Sequence, residues 1–147
     1  MTKEISQEML KDLSELFIEA FNAPPWKDKW RMETASKRLL DFINTPGFYG
    51  LAKYEDEKVV GMILGRKEQY YDGIYFQILE FCVDSTRQGQ GLGKELLSRM
   101  LAKLKEQHVK KVFLLTLHDE STKGFYEKCG FKLDEMTIMM NKSLESI

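Results

Sequence analysis

Met9, Leu10, Leu13, Leu16, Phe17 and Phe21 recur at intervals of three and four residues, the spacing that turns one stripe of a helix toward a core. Ser6 stands where an N-cap is needed. Asn22-Ala23-Pro24-Pro25 ends the helix, because proline lacks an amide donor and restricts the residue before it. A second amphipathic helix is predicted over residues 33–43 from Ala35, Leu39, Leu40, Phe42 and Ile43, with Asn44-Thr45-Pro46-Gly47 as its stop. From there the period becomes that of strands. Residues 48–54 and 58–65 flank the turn Glu55-Asp56-Glu57 and read as a hairpin. Residues 74–83 are a nearly unbroken apolar run, interrupted by Gln77 and Glu80, as expected of a central strand covered on both faces. A polar, glycine-rich loop over 84–91 opens a helix whose apolar side is Leu92, Leu96, Leu97, Met100, Leu101 and Leu104. Residues 112–117 read as another buried strand and 119–129 as a short helix closed by Gly130, while 131–133 and 136–140 read as the last strands.

This order predicts an α/β (α+β) fold in one domain over residues 1–147, with a mixed sheet of about six strands and about four helices. Net charge is −1 with both signs dispersed, which argues against nucleic acid as a partner, since such binders carry a basic stripe. No stretch reaches the roughly 18 apolar residues of a membrane span. Met1-Thr2-Lys3-Glu4 leads into an acidic amphipathic segment and not an apolar secretory core, so a cytoplasmic protein is expected. Cys82 and Cys129 belong to no CxxC pair and no Cys/His cluster, which predicts free thiols and no metal.

The chemistry is concentrated in Val83-Asp84-Ser85-Thr86-Arg87-Gln88-Gly89-Gln90-Gly91-Leu92-Gly93-Lys94. Three glycines in five residues let backbone N–H groups converge without obstructing Cβ atoms. The helix start that follows adds open donors and a partial positive charge. Such a loop suits a pyrophosphate. Two familiar phosphate loops fail by residue type. The Walker pattern would need a hydroxyl where Glu95 stands and a glycine where Gln88 stands. The dinucleotide pattern would need a glycine at Lys94 or Leu96.

What fits is Gln-x-x-Gly-x-Gly, spelled Gln88-Gly89-Gln90-Gly91-Leu92-Gly93. It follows a buried strand, and about 30 residues later comes Phe125-Tyr126-Glu127-Lys128-Cys129-Gly130-Phe131. In these two segments the sequence resembles the GCN5-related N-acetyltransferase (GNAT) superfamily, over about residues 48–140. The resemblance implies that superfamily's acyl-CoA N-acyltransferase fold, with a mostly antiparallel sheet, and acetyl-CoA as co-substrate. It also implies a strand before the loop that splays from its neighbour. Backbone groups of Phe81, Cys82 and Val83 would then line the cofactor's arm, with the Phe81 amide on the thioester carbonyl. Backbone amides of Gln88, Gly89, Gln90, Gly91, Leu92, Gly93 and Lys94 would hold the pyrophosphate. Tyr126 matches the general acid that reprotonates the thiolate. Asp119 stands where an asparagine that contacts the cofactor often lies. The usual first strand is very short or missing.

Glu80 is the candidate general base, since a carboxylate inside a buried strand is costly unless it serves or is paired. Some members carry the base three residues earlier, where this chain has Gln77, and strict strand alternation sets positions 77 and 80 on opposite faces. Acceptor specificity in the superfamily comes from the N-terminal helices and their connection. That region here holds Trp26 and Trp30, spaced to form an aromatic wall. Tyr70 and Tyr71, in a second aromatic loop, are expected on the opposite rim. With Asp28, Asp72 and Glu80 nearby, a small-molecule primary amine is the expected acceptor. The alternatives are a protein- or peptide-acetylating enzyme and a non-catalytic CoA-binding module. A homodimer is expected from the resemblance.

Direct attack in a ternary complex requires no acetyl-enzyme, and Cys82 is the tempting nucleophile. Cys82→Ala is therefore expected to retain turnover in a thiol-release assay. Complete loss in a folded, cofactor-binding variant would overturn direct transfer.

Overall fold

The apolar run becomes the fourth of five strands in a computed structural model that describes residues 1–145. The chain falls into two compact units, Met1–Leu115 and the segment from Thr116 onward. The first unit contains the whole sheet. Its strands are β1 (Thr2–Glu4), β2 (Phe48–Glu55), β3 (Lys58–Tyr70), β4 (Gly73–Val83) and β5 (Val109–Leu114), lying side by side in that order. The first four are mutually antiparallel, and β5 runs parallel to β4. The first strand is present but only three residues long.

Helices α1 (Leu10–Phe21) and α2 (Met32–Ile43) cover one face. Leu13, Leu16 and Phe17 of α1 and Ala35 and Leu39 of α2 join Ala52, Met62, Leu64 and Cys82 in one buried cluster. Each large apolar side chain buried there contributes about 1.5–3 kcal/mol. Ser6 precedes α1 with extended backbone, but a short 3-10 turn (Gln7–Met9) intervenes and the serine hydroxyl makes no capping bond. Helix α3 (Leu92–Glu106) buries Leu92, Leu96, Leu97, Met100 and Leu104. A Cβ on Gly61 would approach Leu96 at 3.3 Å. Because residues 61 and 62 point to opposite faces of β3, α3 lies on the side away from α1.

Several elements differ in extent from those predicted. β3 continues to Tyr70, because Arg66, Lys67, Glu68 and Gln69 pair with β4 in spite of their polarity. Sheet pairing here overrides a polar composition that reads as loop. β5 begins at Val109, three residues before the expected start, where Val109 meets Ile74 of β4. The expected strands at 131–133 and 136–140 do not form. Instead the Asp134 side chain accepts the Met136 N–H at 2.8 Å and the Thr137 hydroxyl at 2.9 Å, a local turn that competes with a ladder.

The second unit holds α4 (Glu120–Lys128). Gly130 follows in the left-handed region at φ 94°, and the Phe131 N–H returns to the Tyr126 carbonyl at 3.0 Å, so glycine closes the helix as predicted.

The β3–β4 ladder slips by one residue at Leu64/Gly65: Leu64 faces Glu80, and Gly65 faces Ile78. Leu79 is the extra residue of this bulge. A Cβ on Gly65 would lie 2.0 Å from the Gln77 carbonyl oxygen and 2.7 Å from the Phe76 ring. Gly65→Ala is therefore expected to cost at least about 2 kcal/mol, read as a lowered urea midpoint. An unchanged midpoint would show that the close approach at the bulge is dispensable.

Candidate active site

The glycine loop hangs from a rigid mount. Asp84, at the end of β4, is buried, and its carboxylate accepts the Thr86 N–H at 2.9 Å and the Thr86 hydroxyl at 2.8 Å. Those bonds hold its carboxyl below the ordinary range despite burial, with Lys58 at 3.3 Å adding to the effect. Arg87 reaches Glu55 of the β2–β3 hairpin at 2.5 Å, and the Ser85 hydroxyl donates to Glu19 of α1. Three separate elements thus fix the turn Ser85–Arg87. Sequence reading missed these partners, since each lies far away along the chain.

Beyond the mount, Gly89 and Gly91 adopt φ of 83° and 78°, where a side chain would be strained, and nothing lies within 4 Å of where a Cβ would stand. The Gly91 carbonyl accepts from the Glu95 N–H at 3.0 Å, the first bond of α3. The amides of Leu92, Gly93 and Lys94 precede that bond and are the helix's open donors. Lys94 is exposed. Open space, left-handed glycines and unengaged donors at a helix start fit a pyrophosphate group.

β4 has two unlike edges. Toward β3 it is bonded along its length, whereas the ladder to β5 runs only from Ile74 to Ile78. The Asp84 N–H donates to Val60 of β3 at 2.8 Å. Backbone groups alternate between edges along a strand, so Cys82 and Glu80 bond toward β3. Phe81 and Val83 therefore turn their N–H and C=O away from β3.

Glu80 is buried on the α1–α2 face, and its Oε1 accepts from Arg38 Nε of α2 at 2.6 Å. Burial raises the Glu80 carboxyl above its usual value, and Arg38 counteracts that. Leu79 packs against the same apolar cluster that contains Cys82. The bulge thus brings Leu79 and Glu80 to one face, and alternation back from Leu79 puts Gln77 there as well. Positions 77 and 80 share a face, contrary to the strict alternation expected from sequence. Cys82 is buried, and burial, followed by the charges of Glu80 and Glu19, pushes its thiol well above the usual range.

The aromatic candidates separate into two places. Trp26 packs edge-on against Phe21 at 5.0 Å, and Trp30 edge-on against Phe17 at 4.9 Å. Asn22 clamps the Trp30 backbone with bonds of 2.8 and 2.9 Å, and the Trp30 indole donates to Asp28 at 3.0 Å. Trp30 also lies under the Arg38 guanidinium, 5.6 Å from ring centre. Tyr70 and Tyr71, by contrast, occupy the tip of the β3–β4 hairpin, where Tyr70 stacks on Tyr75 at 4.0 Å and Tyr71 is fully exposed. At about 3.3 Å per residue, Phe81 lies roughly 25 Å farther along β4. The two tyrosines therefore do not join the Trp30–Arg38–Glu80 group. Asp72, also at that tip, binds Lys110 at 3.1 Å and the Tyr75 hydroxyl at 3.2 Å.

In the second unit, Tyr126 lies mid-helix on α4 with its ring edge-on to Phe125 and Phe131 at 5.3 and 5.6 Å. Asp119 occupies the N-cap position of α4. Its carbonyl accepts from Lys123 at 2.8 Å, and its carboxylate accepts from the Ser121 and Thr122 hydroxyls, not from backbone amides. Among the described residues no group of His, Cys, Asp or Glu is arranged to hold a metal ion, and no helix is long and apolar enough to cross a membrane.

Comparison with known proteins bears on this geometry. The family model described as acetyltransferase (GNAT) family matches residues 7–131. A curated relative, GCN5-related N-acetyltransferase 2, chloroplastic, from Arabidopsis thaliana, is 28% identical over 82 residues, 56% of this chain. That match spans only 30% of the relative's length. Among solved structures, an aminoglycoside acetyltransferase from an uncultured soil metagenomic sample, in complex with sisomicin, superposes with a TM-score of 0.77 at 20% identity, covering 99% of this chain and 96% of its own. A ribosomal-protein-alanine N-acetyltransferase from Brucella melitensis biovar Abortus 2308 gives 0.77 at 14% identity, covering 97% and 99%. These two likenesses establish a shared fold. With its glycine loop and its Phe-Tyr-x-x-x-Gly segment both inside the stretch the family model matches, the chain belongs to the GNAT acetyltransferase family.

Proposed function

We propose that the chain moves an acetyl group from acetyl-CoA to a primary amine of a small molecule, by direct attack in a ternary complex. The observation that carries this reading is the end of the β4–β5 ladder at Ile78, just before the loop whose left-handed glycines lead into the open donors of α3. When bound, acetyl-CoA supplies an activated acetyl thioester. The amides of Gly89 to Lys94 would hold its pyrophosphate, the Gln88 amide being turned to the Ser85 carbonyl at 3.5 Å, and the end of β4 at Phe81 and Val83 would flank its arm.

The amine must lose a proton and the sulfur must gain one. Glu80 takes the first, its proton affinity raised by burial. Tyr126 gives the second, since a phenol remains protonated at neutral pH and so holds a proton to give. Cys82 has no part in the transfer, because its burial and raised proton affinity deny it thiolate character. The aminoglycoside acetyltransferase solved with sisomicin supports a small-molecule acceptor.

Calorimetric titration with acetyl-CoA is expected to show micromolar binding in the wild type and none in Gly91→Glu, which adds bulk, charge and strain at φ 78°. Equal binding by the two proteins would remove the loop from the cofactor site. Tyr126→Phe is expected to lower turnover by about 100-fold with acetyl-CoA affinity nearly intact. Unchanged turnover would remove Tyr126 from the acid role.

A further inference from the structure

Arg38 and Glu80 do not look like an ion pair kept for stability. The glutamate is buried, whereas the arginine side chain is 41% exposed. A structural pair of this kind is often matched or bettered by apolar residues of similar volume. Among the described residues, the guanidinium makes one hydrogen bond, from Nε to Glu80, and its two terminal nitrogens make none. The group is nevertheless held in place, its carbon 4.8 Å from the Phe42 ring centre and 5.6 Å from that of Trp30. A pre-ordered guanidinium with unengaged Nη groups is the geometry that receives a carboxylate through two parallel bonds. Beside it, Glu80 and Asp28 outnumber Arg38 in charge, which attracts an ammonium to the same place. Cation and anion sites therefore adjoin, one residue along β4 from Phe81.

Resting on the transferase reading above, we propose that the acceptor is a small zwitterion of the amino-acid class: an amine whose carboxylate docks on the Arg38 Nη groups while its amino group lies toward Glu80. Arg38 is then the residue that sets acceptor specificity. Its single bond through Nε leaves the fork free, and Trp30 and Phe42 lower the entropy lost when the fork is used.

The test is a thiol-release assay on the standard L-amino acids, each beside its α-carboxamide, with wild type, Arg38→Lys and Arg38→Gln. The carboxamide amine is the less basic and is more fully deprotonated at neutral pH, so intrinsic reactivity favours the amide. A preference for the acid thus reports recognition. Wild type is expected to favour at least one acid over its amide by about tenfold or more in kcat/KM. Arg38→Gln should bring that ratio to one or below, mainly through KM for the acid. Arg38→Lys keeps a cation beside Glu80 but loses the fork, so it should fold and show a reduced ratio; it decides the matter alone if Arg38→Gln does not fold. Turnover of amides or other amines without preference for any acid overturns this proposal and leaves the transferase reading standing. A ratio unchanged in both variants overturns it as well. Absence of thiol release with every amine, while acetyl-CoA binds, overturns both readings.

Discussion

The site depends on β4 being bonded along its length on one edge and along only part of the other. The long ladder to β3 holds β4 rigid up to Val83, and the shorter ladder to β5 ends at Ile78, before the loop begins. The antiparallel side supplies the rigidity, since β3 accompanies β4 from Gly73 to Val83 and α1 and α3 pack on opposite faces of the sheet. The parallel side is the shorter and stops at Ile78. The loop mount performs the same division of labour one turn later. Asp84, Arg87 and Ser85 are tied to β3, β2 and α1, so the glycines that follow need no packing of their own.

The bulge at Leu64/Gly65 is a second constraint. It adds one residue to β4 just where the ladder to β5 stops, and turns Glu80 toward α2. Without that extra residue the carboxylate would face α3, where Leu96, Leu97 and Met100 offer it no partner. The close approach of Gly65 to the Gln77 carbonyl and the pairing of Glu80 with Arg38 are consequences of the same slip in register.

Much of this was legible in the sequence because it is local. The glycine loop, the helix after it, the buried strand before it and the Gly130 cap each depend on residues within a few positions of one another. Glu80 also stood out, as a charge in an apolar run. Its partner did not, because Arg38 lies 42 residues earlier on a helix face that reads as ordinary polar surface. Alternation misassigned the faces of Gln77 and Glu80 because a bulge leaves no mark in composition beyond a glycine on the neighbouring strand. Tyr70 and Tyr71 were expected at the rim because β3 seemed to end at Gly65; its polar continuation carries them to the far end of the hairpin. The terminal strands failed for a related reason, in that alternation of apolar residues cannot reveal that Asp134 will capture the amide of Met136.

The enclosure of Cys82 has a practical side. A reagent that counts free thiols is the simplest way to follow the coenzyme released by a reaction of this kind. Of the chain's two cysteines, Cys82 is buried on the face of β4 that α1 covers, and Cys129 is partly accessible at the end of α4. The folded protein therefore adds a background of no more than one slow thiol per chain, set by Cys129. A sudden rise to two would signal, in the same cuvette, that the layer between α1 and β4 has come apart.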